Sequence, residues 1–346
     1  SVMKRTYPIG VPQLIYDINS GMRDPIDIDT ILSYFPQFFT MSIIRFNFAE
    51  VKDKRISMPF MQFSKCHESS FDFCLQDNGR IVRAEGIWIM YLDNLTLQIL
   101  NEQYNLEYDV IKVWKMKAGY LPKEITDVID KYFKGKSDKK NLLKDLEEKY
   151  GRTDPRTFDA QIDLLNNKKM LNSIYGCCAC NPLRTAYKIT DNMEFRVDTI
   201  HSNMAEIQAG LDKYYSKYNN FLAYQVGCIV TSWARFELYQ FVTKAIGYKK
   251  ILYCDTDSAF YIKDSKTERA IERLNALNHE SASFVTLENG QREYYDVFES
   301  EPDCLAFRGL HSKCYGIVTA HGLELTIAGV PAYTITGLDD NGKPIY

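Results

Sequence analysis

The stretch Ile251-Leu-Tyr-Cys-Asp-Thr-Asp-Ser258 constrains this chain more than any other. Four residues of strand character, Ile251 to Cys254, run into an acidic turn, and a second apolar run, Ala259 to Ile262, leaves it. That pattern predicts a β-hairpin. Asp-Thr-Asp is a poor sequence for a turn alone, because Asn-Gly or Asp-Gly is the usual solution. Asp255 and Asp257 crowd two carboxylates at the tip of an apolar hairpin, where they repel unless a cation lies between them. Hard oxygen ligands suit Mg2+, which commonly binds through one or two carboxylates and substrate phosphates. A bare Asp-x-Asp would read as a solvated acidic turn. Tyr-x-Asp-Thr-Asp-Ser between two strands is much more specific.

The 346 residues, 45% hydrophobic, can bury a large core in one multi-lobed unit or in two or three small domains. No apolar run reaches transmembrane length and the first residues do not resemble a signal peptide, so a cytoplasmic protein is expected, with no membrane partner. A formal net charge of -3 argues against a strongly basic nucleic-acid coat, but basic residues confined to one groove remain compatible with it. The nine cysteines are irregularly spaced and predict no disulfide framework. Cys177-Cys178-Ala-Cys180 has no second cluster or nearby His to complete a metal site, so buried thiols in a reducing compartment are expected.

Along the chain, Gln13 to Tyr16 reads as a short strand that ends on Asp17. A carboxylate there is either a fixed metal ligand or, with Ser20, a turn cap. Residues 26–92 are rich in β-branched and aromatic side chains. Strands are expected at Ser42 to Phe48, Ile56 to Phe63 and Ile87 to Leu92, with a hairpin from Phe71 to Arg83 turning at Asp77-Asn-Gly79. Helices are expected at Leu95 to Tyr104, Leu121 to Phe133 and Asn141 to Tyr150, with the basic run Lys134 to Lys140 as a flexible loop between the last two.

Asp154-Pro155 starts a further helix, with a cap and a Pro at its first position. Its apolar seam, Phe158, Ile162 and Leu165, continues through Lys168, Asn172 and Tyr175 on one face. A Lys and an Asn on a packed seam need partners. Arg156 near the start of this helix either packs against an anion or is a free surface side chain. A hairpin is expected over residues 183–200, a helix capped by Asn203 with Met204, Ile207, Leu211 and Tyr215 on one face, and a helix from Gly227 to Ile246 with Trp233 and Phe236 in the core. After the acidic hairpin come a helix from Ser265 to Leu277 and a strand on which Lys313 and Tyr315 share a side.

Tyr253-Cys-Asp-Thr-Asp-Ser258 resembles the palm motif of family B DNA polymerases. Three more stretches agree in the family's order: Asp17-Ile-Asn-Ser20 with the first palm motif, Lys168-Lys-Met-Leu-Asn-Ser-Ile-Tyr-Gly176 with the fingers motif, and Lys313-Cys-Tyr315 with the later Lys-x-Tyr motif. The Asn-Ser pairs and the long segment between the first two motifs point to the protein-primed branch of phages, viruses and linear plasmids. The resemblance implies an α+β right-hand polymerase core: an antiparallel palm sheet carrying Asp17 and Asp257, helical fingers, β-rich insertions, and a thumb that is absent or minimal. It implies palm at residues 1–25 and 223–346, a first insertion at 26–120, fingers at 121–180 and a second insertion at 181–222.

The implied activity is template-directed addition of deoxynucleotides to a primer 3′-OH. The resemblance implies Asp17 and Asp257, with Asp255 nearer the edge, as the catalytic carboxylates. Asp17, Asp257 and the carbonyl of Ile18 would hold two Mg2+ ions, with Mn2+ as substitute. Lys168 and Arg156 would meet the triphosphate, Tyr175 and Asn172 the incoming nucleotide, and Lys313, Tyr315, Ser173 and Gly176 the primer and DNA. Implied partners are DNA template and primer, deoxynucleoside triphosphates, a terminal protein primer, and a separate exonuclease or thumb subunit, since neither domain is recognised here. Two departures stand out. Asn19-Ser-Gly-Met-Arg-Asp-Pro25 replaces the family's Asn-Ser-Leu-Tyr-Pro, or lacks a few residues so that Met22 is the family's later Met. Cys177-Cys178 stands where the family often has Lys-Phe. The altered first motif leaves a rival open: a catalytically weak or inactive polymerase-like scaffold that binds DNA.

Overall fold

The computed structural model describes residues 2–21, 24–53, 58–151, 154–179, 183, 187–190, 192–197, 203–217, 224–281, 283–295, 297–301, 303–320, 322–330, 337–338 and 344–345. A five-stranded antiparallel sheet of order β1-β5-β2-β4-β3 is built from β1 (Tyr7–Asp17), β2 (Phe38–Val51), β3 (His67–Asp77), β4 (Arg80–Asp93) and β5 (Tyr104–Gly119). The burial of β2 explains its place near the centre. Ser42, Ile44 and Phe46 are buried, and then Ala49 and Val51. Side chains alternate across a strand with period 2. The change from even to odd positions coincides with a register shift between Phe46 and Phe48 against both neighbours, which is what one extra residue in a ladder does.

The turn at Asp77-Asn-Gly79 forms as expected, with Asn78 and Gly79 at φ +47° and +71°. The strands expected separately at Arg80 to Arg83 and Ile87 to Leu92 are one strand, β4. It runs unbroken because Gly86 adopts φ +131°, and a Cβ there would lie 2.3 Å from the Ser70 carbonyl oxygen. The strand expected from Ile56 to Phe63 is not found. Residues 54–57 lie outside the described residues, and beyond them only an isolated bridge at Gln62 and a short 3-10 turn from Phe63 are present. The longest strand, β5, occupies a stretch for which the sequence predicted no element. It completes the sheet by pairing with both β1 and β2.

Helices α1 (Ile28–Ser33) and α2 (Asn94–Gln103) close one core with the sheet, around Phe46, Trp88, Leu97 and Val113. Next come α3 (Lys123–Tyr150) and α4 (Pro155–Cys178), which pack together. The basic run at Lys134 to Lys140 is therefore helical interior, not a loop. Lys139 pairs with Asp163 of α4 at 2.8 Å, Ser137 is buried, and Gly135 leaves room for Asn167, whose Oδ1 would lie 2.4 Å from an added Cβ. A helical glycine costs about 1 kcal/mol relative to Ala; here it permits the close approach.

Strands β6 (Tyr187–Ile189) and β7 (Phe195–Val197) pair as expected, although Asp191 of their turn lies outside the described residues. Helix α5 (Met204–Tyr215) starts where Asn203 accepts the Glu206 N–H at 2.9 Å, but it buries no side chain. Helix α6 (Tyr224–Gln240) continues as a π-helical turn to Ile246 and ends at Gly247. The acidic hairpin β8 (Ile251–Asp255) and β9 (Ser258–Tyr261) follows, then α7 (Ser265–Ser281), the ribbon β10 (Phe284–Thr286) and β11 (Arg292–Tyr294), and a sheet of β12 (Ala306–His311), β13 (Cys314–Thr319) and β14 (Gly322–Ile327).

The α+β class holds, but the expectation of one sheet carrying both carboxylates does not. Asp17 ends a strand of the five-stranded sheet, whereas the acidic hairpin is a separate two-stranded ladder. Helix α6 joins them. The Trp233 indole N–H donates to the Thr6 carbonyl at 2.9 Å, the buried Ser232 hydroxyl donates to Asp93 at 2.8 Å, and Gln103 donates to the Tyr239 hydroxyl at 2.8 Å. Beyond these, the π-helical turn packs Phe241, Val242 and Ile246 beneath Ile251, Cys254, Ala259 and Tyr261 of the hairpin. Trp233 and Phe236 are core residues, as expected.

Gly86→Ala should lower unfolding stability by about 2–3 kcal/mol, because a side chain there meets both a strained φ and a backbone oxygen. Urea denaturation followed by circular dichroism measures it; a change under 0.5 kcal/mol would mean that β3 and β4 are not held in this register.

Candidate active site

The hairpin turn is tight. Asp255 faces Ser258 across the ladder, the Asp257 N–H donates to the Asp255 carbonyl at 2.6 Å, and Ser258 Oγ donates to the same oxygen at 3.1 Å. Thr256 takes φ +51°, unusual for a β-branched residue. Such strain persists where surrounding structure over-determines the backbone. One face of the hairpin is held by the apolar cluster under the π-helical turn, where burial pushes the Cys254 thiol up to about 11. The other presents Tyr253 and Phe260 to Phe307 and Tyr315, with Tyr253 and Tyr315 ring centroids 5.1 Å apart.

This aromatic contact brings the later motif to the carboxylates. Lys313 lies in the turn before β13 at φ +56°, not on the strand as expected. Its N–H donates to the Tyr253 hydroxyl at 2.8 Å, and its Nζ lies 3.9 Å from Asp255 Oδ2. The left-handed turn, rather than strand alternation, places Lys313 beside the hairpin. Asp257 is exposed, and its side chain has no hydrogen-bond or ion-pair partner among the described residues.

Asp17 is both a strand end and a cap. Its Oδ1 accepts the Asn19 N–H at 3.0 Å, opening a 3-10 turn from Ile18 to Ser20, and Ser20 Oγ donates to the Asp17 carbonyl at 2.7 Å. Its Oδ2 lies 2.9 Å from Nζ of Lys112, the residue opposite it on β5. The Lys112 hydrogen bond, with the Asn19 N–H, holds the Asp17 carboxyl below the usual carboxylate range. Sequence reasoning missed Lys112. Only the β1–β5 register reveals it, and β5 itself went unread. Gly21 follows with φ +63°, while Met22, on which the alignment of the first motif turns, lies outside the described residues.

The fingers-motif residues lie on α4, but its packing is rotated from expectation. Phe158, Ile162 and Leu165 are 61%, 41% and 48% exposed, so they are not the core seam. The packed side carries Thr157, Ala160, Leu171, Ile174 and Cys178. Lys168 and Asn172 are therefore exposed and need no buried partner, while Tyr175 is half-buried against the core. Ser173 bonds back to the Lys169 carbonyl at 2.8 Å, and Gly176 has open space around it. Arg156 has its anion: Asp154 accepts from it at 2.8 and 3.0 Å, the guanidinium stacks 3.6 Å over Tyr150, and the Asp154 carboxyl is held at about 2. Cys178 is buried and Cys177 exposed; Cys180 lies outside the described residues.

No three His, Cys, Asp or Glu side chains among the described residues form a group that could hold a metal ion. The donor chemistry nonetheless suits a divalent cation. Asp17 and Asp255 are carboxylates at strand ends, each already facing a lysine ammonium, and Asp257 is open. Two carboxylates with substrate oxygens are a usual Mg2+ set.

Comparison with solved structures gives a TM-score of 0.57 to phi29 DNA polymerase in a ternary complex with primer-template DNA and incoming nucleotides, at 20% identity over 95% of this chain and 48% of that one. Its post-translocation binary complex with primer-template DNA gives 0.57 at 19% identity, over 99% and 50%. This chain has the fold of a phage DNA polymerase core. The DNA polymerases of Bacillus phages Nf and M2 are each 28% identical to it over 173 residues, 49% of this chain and 23% of theirs. No protein-family model matches. This chain spans about half the length of the phage polymerase structures it matches. No helix among the described residues is long and apolar enough to cross a membrane.

Tyr253→Phe should keep the aromatic cluster but release the Lys313 amide, a loss of about 1 kcal/mol. Amide exchange at residues 312–314 should quicken roughly fivefold or more; unchanged exchange would mean that this bond does not hold the turn to the hairpin.

Proposed function

We propose that this chain carries the palm and fingers of a template-directed DNA polymerase, adding deoxynucleotides to a primer 3′-OH in protein-primed replication of a phage, viral or plasmid genome. The observation that carries the reading is the meeting of two motifs about sixty residues apart, as Lys313 reaches both Tyr253 and Asp255. A solvated turn and a strand-edge lysine would have no reason to converge. The domain assignment keeps its sequence boundaries: palm at 1–25 and 223–346, a first insertion at 26–120, fingers at 121–180, and a second insertion at 181–222.

Asp17, the Ile18 carbonyl and Asp257 would hold two Mg2+ ions, or Mn2+ in their place, with Asp255 supporting from the edge. Bound there, such ions supply charge stabilisation to the attacking and leaving oxygens of phosphoryl transfer. Lys313 and Tyr315 orient the primer end against the acidic hairpin, and fixed orientation is a large part of catalysis for such a reaction. Lys168, exposed on α4, contributes a charge-assisted contact to the triphosphate. Tyr175 and Asn172 face the nucleotide, and Ser173 and Gly176 the DNA. Arg156 reaches phosphate only by giving up Asp154, so its contribution is the smaller. The phi29 polymerase complexes contain primer-template DNA and nucleotides, and the same partners are proposed here, with a terminal protein as primer.

Extension of a labelled primer on a DNA template with Mg2+ tests this. The chain should extend it. Asp17→Asn and Asp257→Asn should each lose about a thousandfold or more in rate while still binding DNA. Lys168→Ala should raise the nucleotide KM roughly tenfold and leave most of the saturating rate. DNA binding without extension by the unmodified chain would overturn the proposal in favour of a scaffold.

A further inference from the structure

Lys112 is the side chain that the sequence motifs did not supply. It lies opposite Asp17 in the β1–β5 ladder with its Nζ 2.9 Å from Asp17 Oδ2. The other oxygen of that carboxylate is engaged by the Asn19 amide at 3.0 Å. Both oxygens are therefore occupied, one by a neutral donor and one by a full positive charge. The pair is largely shielded, with side chains 34% and 16% exposed. Lys112 has no other ion pair among the described residues, whereas its backbone is fixed on both sides by β1 and β2. Its head can leave without the strand moving, since a lysine is a point charge on a flexible stem.

We infer that Lys112 is a built-in competitor for the divalent cation at Asp17. The inference rests on the proposed function only in taking Asp17 as a metal ligand. A cation approaching Oδ2 is repelled by the ammonium already there and competes with it for that oxygen. Asp257, with no partner, presents no such obstacle, and Asp255 faces Lys313 only at 3.9 Å. The hairpin side is thus open to metal in the free protein, while the Asp17 side is held closed by Lys112. The ammonium also keeps Asp17 aimed until the cation arrives. Metal engagement at Asp17 then becomes the step most sensitive to whatever else draws Lys112 away, and an incoming polyanion is the chemistry suited to that.

Mn2+ binding to the full chain, without DNA or nucleotide, tests this by the paramagnetic resonance signal of free Mn2+. Lys112→Met keeps the stem and removes the charge, and Lys112→Gln serves if that variant does not fold. Either should tighten Mn2+ binding roughly two- to fivefold, the scale of a removed, partly exposed ion pair. Lys112→Arg should bind as weakly as the unmodified chain. Adding Asp17→Asn to Lys112→Met should abolish the gain. Unchanged or weaker binding in a folded Lys112→Met chain would overturn the inference and make Lys112 a support for Asp17 instead. The readout is independent of primer extension. Tighter Mn2+ binding in a chain that extends no primer would sustain this inference while the polymerase reading failed.

Discussion

Helix α6 is the strut on which the rest of the molecule depends. The two sheets that carry the acidic residues share no ladder, so no backbone pairing fixes their relation. What fixes it is a row of buried polar contacts along one helix. Ser232 meets Asp93, the same carboxylate that caps α2 through the Thr96 amide, and Tyr239 meets Gln103 and Glu102 at the other end of α2. Burial and the Glu102 contact push the Tyr239 hydroxyl pKa well up, so it stays a protonated donor. Buried polar networks of this kind are costly when half-satisfied and specify one arrangement when complete. The π-helical turn at the end of α6 then delivers the hairpin, and π-bulges recur at functional sites.

The chemistry-bearing stretches were legible because their residue types are poorly explained by folding alone. Two aspartates at an apolar hairpin tip are a poor choice for a turn alone, and the Lys-x-Tyr beyond them takes its meaning from its order and spacing after that hairpin. What the sequence left hidden was geometry that depends on register and rotation. Lys112 is one lysine among several on β5, and only its place opposite Asp17 distinguishes it. The apolar residues of α4 suggested a core along Phe158, Ile162 and Leu165, yet the packed side is lined by Thr157, Ala160 and Ile174. Small and polar residues let α4 approach α3 closely, which hydrophobic periodicity alone does not reveal.

The same limit applied to local composition. Lys134 to Lys140 has the look of a solvated loop, but Ser137 donates to Glu293 at 3.2 Å, Lys139 pairs with Asp163, and Asp138 accepts the Glu288 amide at 3.0 Å. Tertiary partners on α4 and on the β10–β11 ribbon turn that run into helix, overriding its weak propensity. Lys313 shows the converse. Strand alternation was the wrong reason for its placement beside Tyr315, and the left-handed turn held by Tyr253 is the right one.

The central claim is that two acidic segments on separate sheets serve one cation site. Replacing Mg2+ with Fe2+, with primer-template DNA and nucleotide bound, and adding hydrogen peroxide with ascorbate to recycle Fe3+, generates hydroxyl radicals that cut the nearest backbone. Mapping the fragments locates the ion. The account predicts cuts at both 17–20 and 255–258, each suppressed by excess Mg2+ and both lost together in Asp257→Asn. Cutting at one segment alone, or loss at only the hairpin in that variant, would contradict a shared site.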